Sequence, residues 1–254
     1  MVIIVGSGAG GAILAMELAK SNVPVTIIEK GKYIDSKDAF NYYDKYNDSV
    51  DLLTATCVGG STMVSMANMV RALDEELYDY GINLSKEYDY VEDLIKVHGL
   101  DDTHIGKGTQ LFLDAAEELG LNPIKMPKAI YEEKCIQCGQ CAFGCPVDAK
   151  WTGKHFVDIA IENGAEFIDE AEITGLITED NRIKGVKFIK NGKEECISNF
   201  DKDITKELSA LITLGDEFKY LADNFETKYT EAISELCEKR NSIKIPISMC
   251  NKYD

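Results

Sequence analysis

Three glycines at fixed spacing near the start of the chain constrain its fold more than any other feature. Gly6, Gly8 and Gly11 form the pattern G-x-G-x-x-G between two short apolar runs, at residues 2–5 and 25–28. A fully apolar, β-branched run of this length indicates a buried parallel strand, and the residues between the runs have helical spacing. Strand, glycine turn, helix and strand within about thirty residues form a β-α-β unit. The sequence therefore predicts an α/β fold with a Rossmann-like core and a parallel sheet.

Each glycine of this loop has a physical task at a phosphate-binding turn. The first permits the tight turn, the second lets a pyrophosphate approach the backbone, and the third lets helix and strand pack closely. The start of the helix adds unpaired N–H groups and a partial positive charge. We therefore predict that five residues of the loop bind a dinucleotide: Gly6, Gly8, Ala9, Gly10 and Gly11.

Glu29 lies at the end of the second predicted strand, 23 residues after Gly6. At this position a carboxylate accepts hydrogen bonds from the ribose hydroxyl groups and repels a 2′-phosphate. The acid therefore excludes NADP as the ligand of this site and leaves NAD and FAD as alternatives.

Charge and composition exclude two other classes of partner. The chain has 44 acidic and 27 basic residues, and its net charge of −17 repels nucleic acid and anionic lipid surfaces. It contains no uninterrupted apolar stretch of about twenty residues, and no basic segment precedes the first apolar run. We expect a cytoplasmic protein with no nucleic-acid or membrane partner.

Four of the eight cysteines lie within eleven residues and indicate metal or redox chemistry. Cys135, Cys138, Cys141 and Cys145 match the bacterial ferredoxin spacing C-x2-C-x2-C-x3-C-P, in which thiolates hold a 4Fe-4S cluster. No second run exists, so the fourth ligand is either Cys145 or a remote thiol. The remote candidates are Cys57, Cys196, Cys237 and Cys250. A zinc site and unligated thiols are the alternatives.

The rest of the chain has weaker patterns. Residues 31–56 are polar and tyrosine-rich and are expected to be irregular. Helical spacing predicts a helix starting at Ser61 and further helices over 73–97, 107–120, 152–163 and, amphipathic and charged, 203–240. Strands are expected over 166–168, 171–178 and 184–189, followed by a hairpin turn at 191–192.

A second glycine motif gives the chain a family resemblance. The segment from Thr56 to Arg71 resembles the second flavin-contact motif of the glucose-methanol-choline (GMC) oxidoreductases, a Gly-Gly-Ser/Thr turn followed by a small-residue helix and an arginine. In that family the motif lies along the pyrophosphate and the flavin ring. The resemblance therefore implies FAD as the cofactor, with Gly59, Gly60 and Ser61 among its contacts.

Two more contacts follow from the same resemblance. Many family members have asparagine where this chain has Ser65, so the resemblance implies that the contact at the flavin edge either shifts to Asn68 or is lost. Residues 160–187 are also similar to the family, and in relatives the strand matching Ala171 to Ile173 places its backbone against the adenine. Ile173 is accordingly expected to contact the adenine through its main chain.

The resemblance also divides the chain. It covers residues 1–198, which we interpret as the FAD-binding domain with a cysteine-rich insertion at 131–152, and 199–254 as an atypical helical segment. The cysteine segment is similar to a subgroup from anaerobic microbes related to long-chain alcohol oxidases. Family members carry their catalytic histidine in a C-terminal half. His98, His104 and His155 match no such motif, so the catalytic residues are unknown.

These features lead to one main hypothesis and one rival. The resemblance implies an FAD-dependent oxidoreductase acting on CH–OH donors, in which hydride moves from an alcohol to the flavin. A 4Fe-4S centre would then pass electrons singly to a ferredoxin-like acceptor. The rival is a truncated or non-catalytic FAD-binding or electron-transfer module without the substrate half, which a second chain would have to supply.

Overall fold

The structure, a computed structural model, describes residues 1–47, 50–71, 74–179 and 182–198. The helices are α1 Ala9–Lys20, α2 Asp74–Asp79, α3 Ser85–Leu94, α4 Lys107–Glu118 and α5 Gly153–Glu162. The strands are β1 Val2–Val5, β2 Val25–Ile28, β3 Tyr43–Asn47, β4 Val50–Ala55, β5 Val97–Gly99, β6 Pro127–Ala129, β7 Glu166–Ile168, β8 Ala171–Glu179, β9 Arg182–Lys190 and β10 Lys193–Ser198.

The predicted parallel core is confirmed. β1 pairs with β2 in parallel register, from Val2 opposite Val25 to Val5 opposite Ile28. β7 adds a third parallel strand on the other side of β2, so the order is β1-β2-β7. The side chains of these strands alternate between the two faces of the sheet. Ile4 and Ile27 therefore point to one face and Ile3 and Ile28 to the other.

Helices α1 and α5 cover the first face. α1 buries small side chains together with one methionine, and α5 buries two larger apolar residues beside two small ones. α1 starts where β1 ends, and α5 ends just before β7 begins, so both helices run antiparallel to the strands. Their N-termini consequently lie at the carboxyl edge of the sheet, which is where ligands bind in open α/β folds.

The second face packs on an antiparallel meander of order β10-β9-β8. Ile3 and Ile28 form a separate apolar cluster with Ala171, Val186 and Phe188. The turn between β9 and β10 is the predicted pair Asn191 and Gly192, both with positive φ. The accessory meander expected from the sequence is therefore confirmed, and it forms the third layer of the fold.

Two sequence-based predictions are wrong. The segment 31–56, expected to be irregular, contains a 3-10 helix at Ser36–Tyr42 and the antiparallel pair of β3 and β4. The helix expected from Ser61 is only a 3-10 turn over Gly60–Val64. It ends there because Ser65 is extended and Ala67 has a φ of 58°.

The helix expected over 73–97 is interrupted, whereas its two successors are confirmed. Gly81 has a φ of 74°, which ends the helical path between α2 and α3. The last residues of that range begin β5, which pairs with β6. α4 and α5 match the helices predicted over 107–120 and 152–163.

The helix predicted over 203–240 lies outside the described residues, so the interpretation of 199–254 as a helical segment stays a prediction. Within the described part, none of the helices combines the length and the apolar character that a membrane crossing requires.

Candidate functional site

Two glycine turns meet at the carboxyl edge of the parallel sheet. Gly6 turns the chain after β1 with a φ of 86°, and its N–H donates to the carbonyl of Ile28 (2.8 Å). In the second turn, Gly59 and Gly60 have φ values of 79° and 55°. A Cβ on Gly60 would stand 3.4 Å from the Cα of Gly8. The two motifs recognised in the sequence are therefore neighbours in space.

Ser7 connects the first turn to the second turn and to the acid at the end of β2. Its hydroxyl donates to Glu29 Oε2 (2.6 Å) and accepts a hydrogen bond from the N–H of Gly59 (3.1 Å). Its own N–H donates to the same carboxylate oxygen (2.8 Å). Ser7 is completely buried. Sequence reasoning missed this residue because its position is unspecified in the glycine pattern.

Glu29 is a buried acid with only 7% of its surface exposed. Besides the two bonds from Ser7, it accepts the N–H of Gly31 at Oε1 (2.8 Å). A carboxylate has about four acceptor positions, so capacity for a ribose hydroxyl remains. Three donors therefore fix the orientation of the acid beside the first glycine turn.

The N-terminus of α5 forms the back of the site. A Cβ on Gly153 would lie 3.2 Å from both the Cα of Gly59 and the carbonyl oxygen of Ser7, so only glycine fits this contact. Gly153 N–H donates to Thr62 Oγ1 (2.8 Å), whose hydroxyl in turn donates to the carbonyl of Gly59 (2.5 Å). These contacts fix the second glycine turn on the side that faces α5 and leave its opposite side open.

The space in front of the turns fits a dinucleotide diphosphate. A Cβ added at Gly8 would meet nothing within 4 Å, and Gly8 is the N-cap of α1 without a side-chain hydrogen bond to the helix. Ala9, Gly10 and Ser61 are exposed, while Gly11 is buried against the body of the protein. The first N–H groups of α1 lack partners within the helix and face a space that a ligand can enter.

Asn68 and Ile173 lie apart from the glycine turns. Asn68 is exposed, and its Oδ1 accepts a hydrogen bond from Lys128 Nζ (2.6 Å). Ile173 belongs to β8, which is the edge strand of the meander, and its side chain packs on the cluster around Ile28. A cleft of about 640 Å³ opens nearby, beside Gly31 and Glu172. The structure leaves the roles predicted for both residues as predictions.

The cysteine-rich segment is held by a tight contact with the 3-10 helix at Ser36–Tyr42. Gln137, Gly139 and Gly144 have positive φ angles of 57°, 70° and 81°. A Cβ on Gly144 would stand 1.9 Å from the carbonyl oxygen of Ser36. Ser36 Oγ also donates to Asp148 Oδ1 (2.7 Å). The segment is therefore a compact loop with a defined place on the domain.

The four clustered thiols differ in burial. Cys145 is buried and its Sγ accepts the N–H of Ala149 (3.2 Å), Cys135 and Cys141 are half-buried, and Cys138 is exposed. Within the described ranges, no three His, Cys, Asp or Glu side chains converge as ligands of one metal ion.

Of the four remote thiols considered as fourth ligands, two belong to the described residues. Cys57 is buried in the main core next to the second glycine turn, and Cys196 is exposed on β10. Cys237 and Cys250 lie outside the described residues. None of the described cysteines is in a disulfide.

Lys150 is a buried cation that the sequence did not reveal. Its side chain is completely buried, and Nζ donates to the carbonyl oxygens of Met63 (2.8 Å), Ser65 (2.8 Å) and Cys141 (2.9 Å). Burial lowers the pKa of Lys150 to about 8, against a smaller opposing effect of the thiols of Cys141 and Cys145. Ordinary lysines are solvated at their tips, so no sequence pattern signalled this one.

The three histidines have local structural partners. His155 Nδ1 accepts the N–H of Thr152 (3.1 Å) at the start of α5, and its Nε2 lies 3.3 Å from Asp148 Oδ2. His155 and, after it, Ser36 hold the pKa of Asp148 at about 2. His98 and His104 are in contact with Lys96 and Thr103 on the surface.

The sequence is similar to one protein family over most of its length. The family model described as GMC oxidoreductase matches residues 2–213. A long-chain-alcohol oxidase of Arabidopsis thaliana, FAO4B, is 27% identical over 226 residues, which cover 80% of this chain and 29% of the relative. An uncharacterised GMC-type oxidoreductase of Mycobacterium tuberculosis is 28% identical, covering 73% and 33% respectively. The chain thus spans about a third of the length of these curated relatives.

Solved structures show the same fold. Pyridoxine 4-oxidase from Mesorbium loti superposes with a TM-score of 0.56 at 12% identity, covering 78% of this chain and 47% of that one. The R554A variant of Aspergillus oryzae formate oxidase, a structure concerned with FAD modification, gives a TM-score of 0.56 at 17% identity, covering 78% and 43%. At such identities the likeness establishes the architecture alone.

Proposed function

Because the chain belongs to the GMC oxidoreductases, we propose that it binds FAD along its two adjoining glycine turns and contributes to the oxidation of a CH–OH donor. The observation that carries the proposal is the approach of Gly60 to Gly8 beside the buried carboxylate of Glu29. The diphosphate of FAD requires backbone turns that can approach it closely. The ribose of its adenosine half requires an acid that accepts a hydrogen bond.

Each residue of the site has a separate role in this proposal. The first turn of α1 binds the diphosphate through the N–H groups of Ala9, Gly10 and Gly11, and Gly6 and Gly8 give access to it. Glu29 accepts a ribose hydroxyl. Gly59, Gly60 and Ser61 line the path towards the flavin. FAD, when bound, supplies a flavin ring that accepts hydride from the donor carbon.

Asn68 and Ile173 belong to the outer parts of the proposed site. The edge position of β8 supports a main-chain contact between Ile173 and the adenine, since an edge strand has unpaired backbone groups. Asn68 follows the second glycine turn along the chain, and its bond to Lys128 would have to give way for a contact with the flavin edge.

FAD binding is tested by titration of the apoprotein with FAD under anaerobic conditions. We expect quenching of flavin fluorescence with one site per chain. Glu29→Gln retains the shape of the acid but weakens acceptance from ribose, and should raise the Kd at least tenfold, or about 1.4 kcal/mol. Glu162→Gln, at the opposite end of α5, is the matched control and should bind FAD like the wild type. Equal affinities for both variants would refute the role of Glu29.

The substrate class is proposed from the relatives. Two of them are named long-chain-alcohol oxidases, so we propose a primary alcohol as donor. Anaerobic addition of alcohols of increasing chain length to the FAD-loaded protein should bleach the flavin absorbance if the chain is competent for this reaction.

A second candidate function is an FAD-binding module that acts with a second chain. It is favoured by the environments of His98, His104 and His155, each of which contacts a structural partner nearby in the chain. This candidate predicts that the protein binds FAD but that no alcohol bleaches the flavin absorbance. After a partner chain is added, alcohols should bleach it.

A 4Fe-4S centre and a ferredoxin-like acceptor remain a separate part of the proposal. The cysteine spacing supports them, and the N–H of Ala149 donates to Cys145 Sγ, which holds this sulfur in a fixed orientation. The loop does not gather three ligands in the described structure, so no step is assigned to a cluster. Anaerobic purification followed by iron and sulfide assays should give about four of each per chain. If iron and sulfide are absent, the proposed 4Fe-4S centre is refuted, whereas the proposed FAD binding is unaffected.

A further inference from the structure

Lys150 ties together two segments that are distant in sequence. Its Nζ donates to Met63 and Ser65, in and just after the 3-10 turn that follows Gly59, and to Cys141 in the cysteine-rich segment. The first two carbonyls are 87 and 85 residues away along the chain. One side chain therefore contacts both the proposed flavin-side turn and a clustered cysteine.

The backbone of Lys150 is itself fixed. The N–H of Tyr131 donates to the carbonyl of Ala149 (2.7 Å), and the N–H of Trp151 donates to the carbonyl of Ala129 (3.0 Å). Lys150 also forms an antiparallel bridge with Ile130. Because the stem of the lysine is held on both sides, movement of either contacted segment must strain a hydrogen bond to the ammonium group.

Burial makes these hydrogen bonds costly to lose. An ammonium group away from water needs compensating partners, and a buried carbonyl left without its donor destabilises the fold. The ammonium group and its three acceptor carbonyls are consequently linked by geometry.

We propose that Lys150 is a positioning residue that couples FAD binding at the glycine turns to the accessibility of the Cys141 thiol. The inference rests on the proposed FAD binding. FAD orders the turn at Gly60–Val64, the ordered turn fixes two acceptors of Nζ, and the fixed ammonium group holds the carbonyl of Cys141. By linkage, a modification of the thiol that disturbs this arrangement lowers FAD affinity.

The test measures cysteine alkylation in the full 254-residue chain. N-ethylmaleimide is added under anaerobic conditions with and without saturating FAD, and peptide mass spectrometry gives the rate at each cysteine. FAD should slow alkylation of Cys141 about fivefold or more, the lower end of typical coupling energies. Cys196, exposed on β10, is the internal control and should react at one rate in both conditions.

Lys150→Met removes the donor and keeps an unbranched apolar stem. In this variant FAD should still bind but should no longer change the rate at Cys141. Lys125→Met is the matched control: Lys125 Nζ donates to the carbonyl of Leu100 (2.9 Å) and to Asp102 Oδ1 (2.7 Å), outside both the glycine turns and the cysteine-rich segment. In this control variant, FAD should still slow the alkylation of Cys141.

The outcomes separate this inference from the function on which it rests. If wild-type protein does not bind FAD, both proposals fail. If FAD binds and the rate at Cys141 is unchanged, or if Lys150→Met retains the protection, the coupling through Lys150 is refuted while FAD binding stands. Should Lys150→Met not fold, wild-type protein alkylated at Cys141 decides: its FAD affinity must fall below that of the unmodified protein, and an unchanged affinity overturns the proposal.

Discussion

Single glycines of the two turns are required for different reasons. Gly8 has an ordinary backbone conformation, with a φ of −62°, and open space beside it, so alanine fits the protein alone. Gly59 has a φ of 79°, and its Cβ would lie 2.9 Å from the backbone nitrogen of Lys154. Conformation demands glycine at the second position, whereas only a ligand can demand it at the first.

Gly8→Ala should therefore separate binding from stability. The methyl group occupies the space proposed for the diphosphate, so FAD affinity should fall at least tenfold, while the free energy of unfolding of the apoprotein should stay within about 0.5 kcal/mol. Gly59→Ala should lower that free energy by about 1–3 kcal/mol through backbone strain. Urea unfolding of both apoproteins measures the contrast; a strongly destabilised Gly8→Ala would contradict it.

Ser7→Ala should damage the site without touching the ligand. The change removes a donor to Glu29 and leaves the N–H of Gly59 without its acceptor, at a cost of about 1–3 kcal/mol in unfolding free energy. FAD affinity should also fall, because the carboxylate loses part of its orientation. Ser198→Ala, at the exposed end of β10, is the control in the same titration and unfolding experiments.

Asp148 gives the domain a defined acid response. Its pKa of about 2 is below the ordinary value of 3.8, so its interactions with His155 and Ser36 stabilise the fold above about pH 4. The contribution is lost as the pH falls from about 4 to 2. Because the side chain is 56% exposed, it is worth less than about 1 kcal/mol. The stability difference between wild type and Asp148→Asn, measured by urea unfolding, should shrink as the pH falls from about 4 to 2.

At the scale of elements, the sequence predicted what local periodicity determines. The apolar runs of β1 and β2 and the glycines between them were sufficient for the parallel core. The small-residue run after Gly60 has helical spacing but does not form a helix, since Nζ of Lys150 binds the carbonyls of Met63 and Ser65. Tertiary contacts of this kind cannot be inferred from local pattern.

For the candidate site, too, the sequence predicted only what local spacing determines. Glu29 and the glycines were predicted because their spacing along the chain is fixed. Apart from Cys141, which is 9 residues from Lys150, the partners of Ser7 and Lys150 are 22 to 87 residues away, and folding alone brings them into contact.

The cysteine-rich segment provides a test at this scale. Gly139 and Gly144 both have positive φ, but only at Gly144 would a Cβ clash, with the carbonyl of Ser36. Gly139→Ala should cost about 1–2 kcal/mol for left-handed backbone. Gly144→Ala should cost more and should raise the alkylation rate of the buried Cys145. Similar unfolding midpoints for the two variants would show that the contact with Ser36 is unimportant.

For the whole molecule, the charge of −17 opposes compactness through self-repulsion. Raising NaCl from 0.05 to 0.5 M shortens the screening length from above about 10 Å to a few ångströms. The melting temperature should therefore rise by a few degrees. A neutral solute of equal osmolarity should have a smaller effect, and a melting temperature that falls with NaCl would show that local ion pairs outweigh the repulsion.

The packing of α1 against α5 has a consequence for how such a domain can change. Both helices begin at the glycine turns, and at their contact α1 buries Ala12, Ala15 and Ala19 while α5 buries Ala160. These methyl groups determine the distance between the two helix axes. A larger side chain there would pivot the helices apart and widen the gap between Gly8 and Gly60. The width of the cofactor cradle is thus set by interior alanines that no ligand ever touches.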